Sequence, residues 1–377
     1  MNLDNVTAEL TRALSETPND QIATVMCRSL LDLGLVDEAA IWLIDVALDR
    51  LQSLSGRTAV PLDDSPRARA FTHGEIASVG GVTYIPLRTD ELILGVLELH
   101  GETSDGLIRA MQSVGAALMS RLLAAQVHSD FVHRIRGFGS LSLPATIQYS
   151  QTPPPAYRDA SFEIGGKIEP AFDVAGDGFD YSVNGGVADF GLFDAVGHGI
   201  RATLLTTVAL GAYRLHRRRG KNLSAIADAV DDAVAGVARD GEFVTGVLCR
   251  MSVDGELETA NGGHLRPLRV GDGTGRPIVT RPSLPFGLGV GGRSVQRFQV
   301  AAGETIYVLS DGVIEAQNPV LEPFGRHRLE RALAEESGTH GSVLQACRAL
   351  ISHVLAHVDS RLKDDVTIVG VKRSEAR

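Results

Sequence analysis

Four aspartates stand where the chain enters or leaves an alternating run of apolar and polar residues. They are Asp177 in Gly176-Asp177-Gly178-Phe179-Asp180, Asp194 in Phe193-Asp194-Ala195-Val196-Gly197-His198-Gly199, Asp311 in Leu309-Ser310-Asp311-Gly312, and Asp364 in Lys363-Asp364-Asp365-Val366-Thr367. Alternation with period two marks β-strands. If these strands share a sheet, the carboxylates converge at one end of it, and like-charge repulsion then calls for a bound cation. Hard divalent ions with oxygen ligands, Mg²⁺ or Mn²⁺, suit an all-aspartate set better than zinc, and two such ions can activate water against a phosphoester. Taken singly, Asp177 before Gly178 and Asp311 before Gly312 read as turn residues. As an ordered set, the four imply metal-dependent phosphoester hydrolysis.

The chain has 377 residues, enough for two domains that each bury a core. A formal net charge of −10 argues against a nucleic-acid partner. The basic run Arg217-Arg218-Arg219-Gly220-Lys221 closes a predicted helix, where cations complement the dipole. Cys27, Cys249 and Cys347 are far apart and form no C-x-x-C pair, so buried thiols are expected rather than disulfides or a zinc site. No apolar stretch reaches membrane-spanning length, and the N-terminus lacks the basic and apolar regions of a signal peptide. The expected location is the cytoplasm, with no membrane partner.

Periodicity divides the chain into three parts: a unit over 1–126, a connector over 127–160 and a second unit over 161–377. The first unit is expected to hold helices at 5–15 and 18–33 and strands near 39–45, 50–55, 82–86 and 92–100. A long helix follows, carrying Leu107, Met111, Val114, Leu118 and Leu122 on one face. This is an α+β pattern. Pro153-Pro154-Pro155 stiffens the connector. In the second unit, strands at 162–168, 179–183 and 187–193 surround the hairpin signal Asn184-Gly185-Gly186. Helices follow at 199–218 and 222–239, a hairpin turn at Asp254-Gly255, a strand at 305–309, helices at 326–336 and 342–358, and a last strand at 366–371. The pattern predicts a β-sandwich flanked by helices. Gly287-Leu288-Gly289-Val290-Gly291-Gly292 satisfies G-x-G-x-x-G but precedes a strand-like run, so it supports no dinucleotide site. Asp173, Asp177 and Asp180 lack the spacing of a calcium loop.

Glu169 through Tyr181, Asp194 through Gly199, Asn261-Gly262-Gly263-His264, Leu309 through Gly312 and Asp364 through Ile368 resemble, in order, the motifs of the PPM-type serine/threonine phosphatases. The similarity is greatest to their bacterial SpoIIE/RsbU-like branch and covers about residues 146 to 373. The resemblance implies two antiparallel sheets with helices packed outside. It also implies two Mn²⁺ or Mg²⁺ ions held by Asp177, Asp194, Asp311, Asp364 and the backbone carbonyl of Ala195, with water rather than a side chain as the nucleophile. Alanine at 175 stands where the family commonly has glycine. Asp180, His198, Asn261 and His264 are expected just outside the ligand set. Asp180 lies three residues from Asp177 on a strand and so faces the other way, as Asp365 does from Asp364. His264 could protonate the leaving oxygen or hold its loop by a hydrogen bond, and His198 has the same two options. The first motif has no arginine to clamp phosphate, which suggests that the substrate docks elsewhere.

The segments Ala40 through Asp45, Ala68 through Glu75, Tyr84 through Leu87 and Leu94 through Leu99 resemble a GAF domain, a module that senses a small-molecule or protein signal. A bare dimerisation domain would read much the same, and the stripe from Leu107 to Leu122, continuing to Leu123 and Val127, could pair with a second chain in a homodimer. The resemblance implies a protein serine/threonine phosphatase acting in trans on a phosphorylated anti-anti-sigma (STAS-type) protein. The setting would be a stress or sporulation partner-switching pathway, under control of the GAF-like domain. The alternative is a weak or inactive phosphatase-fold scaffold that serves as a signal-binding module.

Overall fold

The computed structural model describes residues 3–55, 58–89, 92–137, 139, 141–171, 176–281, 283–339, 341–359 and 362–374. Asp173 and Ala175 lie outside the described residues. The chain forms two compact units, 1–141 and 142–377.

The first unit runs α1 (Leu3–Glu16), a 3₁₀ turn (Asn19–Gln21), α2 (Ile22–Asp32), β1 (Glu38–Ile44), β2 (Arg50–Ser53), β3 (Ala59–Pro61), α3 (Pro66–His73), β4 (Ala77–Val79), β5 (Val82–Arg88), β6 (Ile93–His100), α4 (Asp105–Ala125) and α5 (Phe131–Ile135). Its strands make one antiparallel sheet in the order β3-β2-β1-β6-β5-β4. The α+β class expected for this unit is what forms. α4 begins where the Ser104 hydroxyl accepts the Leu107 N–H, and Leu107, Met111, Val114, Leu118 and Leu122 are all buried in the unit's own core. Val127, in contrast, is 87% exposed. The short elements β3, α3 and β4 were not expected. α3 is a two-turn helix set by its ends: Ser65 caps it, Pro66 opens it, and Gly74 closes it at φ +68°.

The second unit contains α6 (Leu143–Gln151), β7 (Ala156–Arg158), β8 (Phe162–Glu169), β9 (Asp177–Asn184), β10 (Val187–Ala195), α7 (Gly199–Arg218), α8 (Leu223–Ala235), β11 (Val244–Ser252), β12 (Glu256–Gly262), β13 (Leu268–Gly271), β14 (Thr274–Pro277), β15 (Gln296–Gln299), β16 (Thr305–Leu309), α9 (Gly312–Glu315), α10 (Gly325–Thr339), α11 (Val343–His357) and β17 (Val366–Arg373). The stretch 127–160, read above as a connector, thus carries α5, α6 and β7. Two antiparallel sheets face each other, β15-β12-β11-β10-β9 and β14-β13-β16-β17-β8-β7. α7 and α8 cover the first, and α10 and α11 cover the second.

Gly185 and Gly186 turn the β9–β10 hairpin at φ +55° and +77°, the left-handed pair that a tight two-residue turn requires. Alternation then assigns the two faces of β9. Gly178 lies under α7, where an added Cβ would come within 2.7 Å of Thr206 and 3.0 Å of Leu210. Phe179 turns the other way, its ring over Gly166 of β8 in the interior of the sandwich. Asp177 shares the inward side with Phe179, and Asp180 shares the helix side with Gly178.

Candidate active site

The hairpin turn sets the first half of the site. Asn184 pairs with Val187, and counting outward along equal arms brings Asp177 opposite Asp194 as direct cross-strand partners. Like charges in that position repel. Asp311 follows β16 at the start of α9, and Asp364 precedes β17. These strands are neighbours in the other sheet, and Ser310 and Thr367 tie their ends together: the Ser310 N–H donates to the Thr367 carbonyl at 3.0 Å, and the Thr367 N–H to Ser310 Oγ at 2.9 Å. The four strands do not share a single sheet. Each sheet supplies two, and the carboxylates meet at one end of the sandwich, across its interior.

Exposure rises across the set. Asp177 is 3% exposed, Asp194 and Asp311 are half-buried, and Asp364 is open to solvent. Burial, with the charges of Asp194 and Asp365 added, pushes the Asp177 carboxyl well above its ordinary range. Burial and the nearby Asp311 and Asp364 raise Asp194 to about 8, and Asp194 also shares a hydrogen bond with Asp311. Burial together with Asp311, Asp365 and Glu315 raises Asp364 to about 6. Among the described residues none of the four has a basic ion-pair partner, and Asp177 Oδ2 is buried with no hydrogen-bond partner at all.

Asp365 has a different task. It is 1% exposed, and its carboxylate accepts the backbone N–H groups of Ala171 at 3.0 Å, Gly176 at 3.0 Å and Asp177 at 3.4 Å. Gln148 of α6 donates to the same carboxylate at 2.9 Å and to the Asp177 carbonyl at 3.0 Å. Together Asp365 and Gln148 hold the backbone that presents Asp177. No motif pointed to Gln148, because its role depends on α6 packing beside β9. The Asp364-Asp365 doublet before a strand was a signal for two carboxylates facing opposite ways.

The expected neighbours of the ligand set go to separate places. Asp180, on the helix side of β9, pairs with Arg214 at 2.9 Å and Arg217 at 2.8 Å from α7. Arg217 stacks over Tyr213, so the last turn of α7 is pinned to the sheet as well as matched to its dipole. His264 is built into the wall. Its Nε2–H donates to the Leu309 carbonyl at 2.9 Å, and its Nδ1 takes the Thr245 hydroxyl at 2.8 Å. Burial pulls its pKa down to about 4, so the ring is neutral with both nitrogens engaged. Asn261 accepts the His264 N–H at 2.8 Å and donates to the His264 carbonyl at 3.1 Å. His198 is exposed at the start of α7 and caps nothing with its side chain. Ala195 is buried beside Gly176 and has no positive φ, so alanine is unstrained there.

Among the described residues no three His, Cys, Asp or Glu side chains are drawn up as a ready-made metal set. The donor chemistry nevertheless fits a hard divalent ion: oxygens from clustered carboxylates, one of them orphaned and buried, with charge that nothing basic offsets. Among the described residues no helix is long and apolar enough to cross a membrane.

The model of the family described as Stage II sporulation protein E (SpoIIE) matches residues 184–374, which include Asp194, Asp311 and Asp364. Solved structures with a similar fold include the RsbU and RsbW domains of a Mycobacterium tuberculosis protein (TM-score 0.51, 24% identity, covering 57% of this chain and 60% of that one). Others are the SiaA PP2C domain of Pseudomonas aeruginosa (0.49, 18%, 55% and 84%) and the PP2C domain with a regulatory fragment of SpoIIE from Bacillus subtilis (0.48, 17%, 58% and 65%). The chain thus spans less than two thirds of the length of the M. tuberculosis relative.

Proposed function

The chain belongs to the SpoIIE family, and from that membership we propose that it is a metal-dependent protein phosphatase acting on phosphoserine or phosphothreonine. The observation that carries the reading is the meeting of Asp177, Asp194, Asp311 and Asp364 at one end of the sandwich with no basic partner among the described residues. In this proposal the four carboxylates and the Ala195 carbonyl hold two divalent ions. When bound, Mn²⁺ or Mg²⁺ would supply Lewis-acid activation of water and neutralise phosphoryl oxygens. The protein's own part is to hold carboxylates that would otherwise repel one another. Asp365 and Gln148 fix the backbone at Asp177, the equal-armed hairpin sets Asp194 against it, and the Ser310–Thr367 clasp holds Asp311 close to Asp364. The exposed mouth at Asp364 suits a phosphorylated side chain presented by another protein.

By the same reading the substrate is a phosphorylated anti-anti-sigma protein of the STAS type, acting in trans within a partner-switching pathway in the cytoplasm. The unit 1–141 is a GAF-like sensor, within a homodimer, that controls turnover. The test is Mn²⁺-dependent release of phosphate from a phosphoserine STAS protein by the full chain. Release that a chelator stops supports the proposal. Capture of the phosphoprotein without release under any divalent ion would favour the inactive scaffold instead.

A further inference from the structure

The carboxylate cluster has no arginine among its own residues, yet a cavity of about 300 Å³ beside it carries two. Arg266 enters from the β12–β13 connection and Arg281 from the β14–β15 connection, with Thr280 and Ser283 completing the lining. His264 is the shared wall. One side of its surroundings is this cavity, and its ring is bonded to Thr245, the cross-strand partner of Asp194, and to the carbonyl of Leu309, two residues before Asp311. Both arginines are exposed, and among the described residues neither guanidinium has an ion-pair or hydrogen-bond partner. Arg201, Arg214, Arg217, Arg250 and Arg293, in the same unit, all pair with carboxylates.

The loop that carries Arg281 is tied down on both sides. The Arg281 N–H donates to Gln296 Oε1, and Asn261 Nδ2 donates to Thr280 Oγ1 at 3.5 Å. Buried Arg293 donates to Ser283 Oγ at 3.1 Å, to the Leu284 carbonyl and to the Pro285 carbonyl at 2.7 Å, and is itself paired with Asp231 at 3.1 Å. Two guanidiniums left without a partner among the described residues are open to oxyanions, whose geometry matches the planar arginine fork. On a chain of net charge −10, such a pocket offers local attraction to an acidic partner.

We propose that this cavity is a docking site for acidic side chains that flank the phosphorylated residue of the protein substrate. The inference rests on the phosphatase reading and adds to it the determinant of substrate choice. Acidic groups next to the scissile phosphate sit in the arginine pocket, and His264 separates them from the carboxylates.

The test uses the full chain and two phosphoserine peptides that differ only in glutamate or glutamine at the flanking positions. Binding is read by fluorescence anisotropy and turnover by phosphate release with Mn²⁺. The glutamate peptide should be favoured about tenfold, the sum expected of two exposed ion pairs, and the preference should shrink with added salt. The double variant Arg266→Gln/Arg281→Gln should treat the two peptides alike, and Arg266→Lys/Arg281→Lys should keep part of the preference. Equal binding of the two peptides by the natural chain, or an undiminished preference in the glutamine variant, would overturn the proposal. So would arginine-dependent binding of inorganic phosphate with no discrimination between the peptides, which would make the pocket a free-anion site. If the glutamate peptide binds through the arginines but neither peptide is hydrolysed, the docking site stands and the phosphatase reading fails.

Discussion

The β9–β10 region contains buried aspartates of two kinds. Asp180 faces the helices and meets Arg214 and Arg217, and Asp189 on the neighbouring strand meets Arg250 at 2.7 Å. Asp177, three residues before Asp180 but on the opposite face, has no basic partner among the described residues, and the charges that act on it are the carboxylates of Asp194 and Asp365. Residue type and burial are alike, and only the partner differs. A buried charge with a guanidinium beside it is part of the scaffold. A set of them with no such partner is stored repulsion, kept in a fold only where something positive comes to it.

The largest effect that sharpens this contrast is on turnover. Asp194→Asn and Asp311→Asn should each lower Mn²⁺-dependent hydrolysis of an aryl phosphate by more than about 100-fold, beyond the range typical of groups one layer behind a metal's ligands. Steady-state kinetics at saturating Mn²⁺ measures it. Near-normal rates in either variant would place these residues with the scaffold aspartates.

Asp180→Asn should do the reverse. It strands two arginines, one of them well buried, and should cost about 3 kcal/mol of stability by urea denaturation while lowering the rate of aryl phosphate hydrolysis with Mn²⁺ far less than Asp194→Asn does. Equal losses of rate would erase the distinction between the two faces of β9. In chelator at pH 8, Asp194→Asn should melt at a higher temperature than the natural chain, because one repelling charge is gone. A lower melting temperature would mean that the cluster is not under strain.

A smaller effect tests the wall. Folding pulls the His264 pKa down to about 4, below the ordinary imidazole value of about 6.5, so the unfolded chain binds more protons between those limits. The stability that His264 contributes is therefore present above pH 6.5 and lost as pH falls towards 4. His264→Gln should be less stable than the natural chain at pH 7, by about 1 kcal/mol for the hydrogen bonds it weakens. The gap should narrow on acidification, and a gap that stays constant from pH 7 to pH 4 would show that the ring does not titrate with folding.

Much of this was legible along the chain because it is written in local signals. Alternation placed β8, β10, β16 and β17 within two residues of their ends, and Asn184-Gly185-Gly186 fixed a register from which the Asp177–Asp194 pairing follows by counting. What was not legible depends on partners far apart in sequence. Gln148 acts on Asp365 across 217 positions, and Asp180 finds Arg217 only once α7 lies on the sheet. The division of the four aspartates between two sheets was equally hidden, because each strand end looks the same whichever sheet it joins. In the first unit, α3 is defined by its caps, and β3 and β4, three residues each, are too short to show a period and exist through pairing with β2 and β5.

The most direct test of the contrast between paired and unpaired aspartates is a titration of the full chain with Mn²⁺, read by calorimetry. Two ions per chain are predicted, with binding weakened by Asp311→Asn and left intact by Asp180→Asn. No binding, or binding that Asp180→Asn removes and Asp311→Asn does not, would contradict the account.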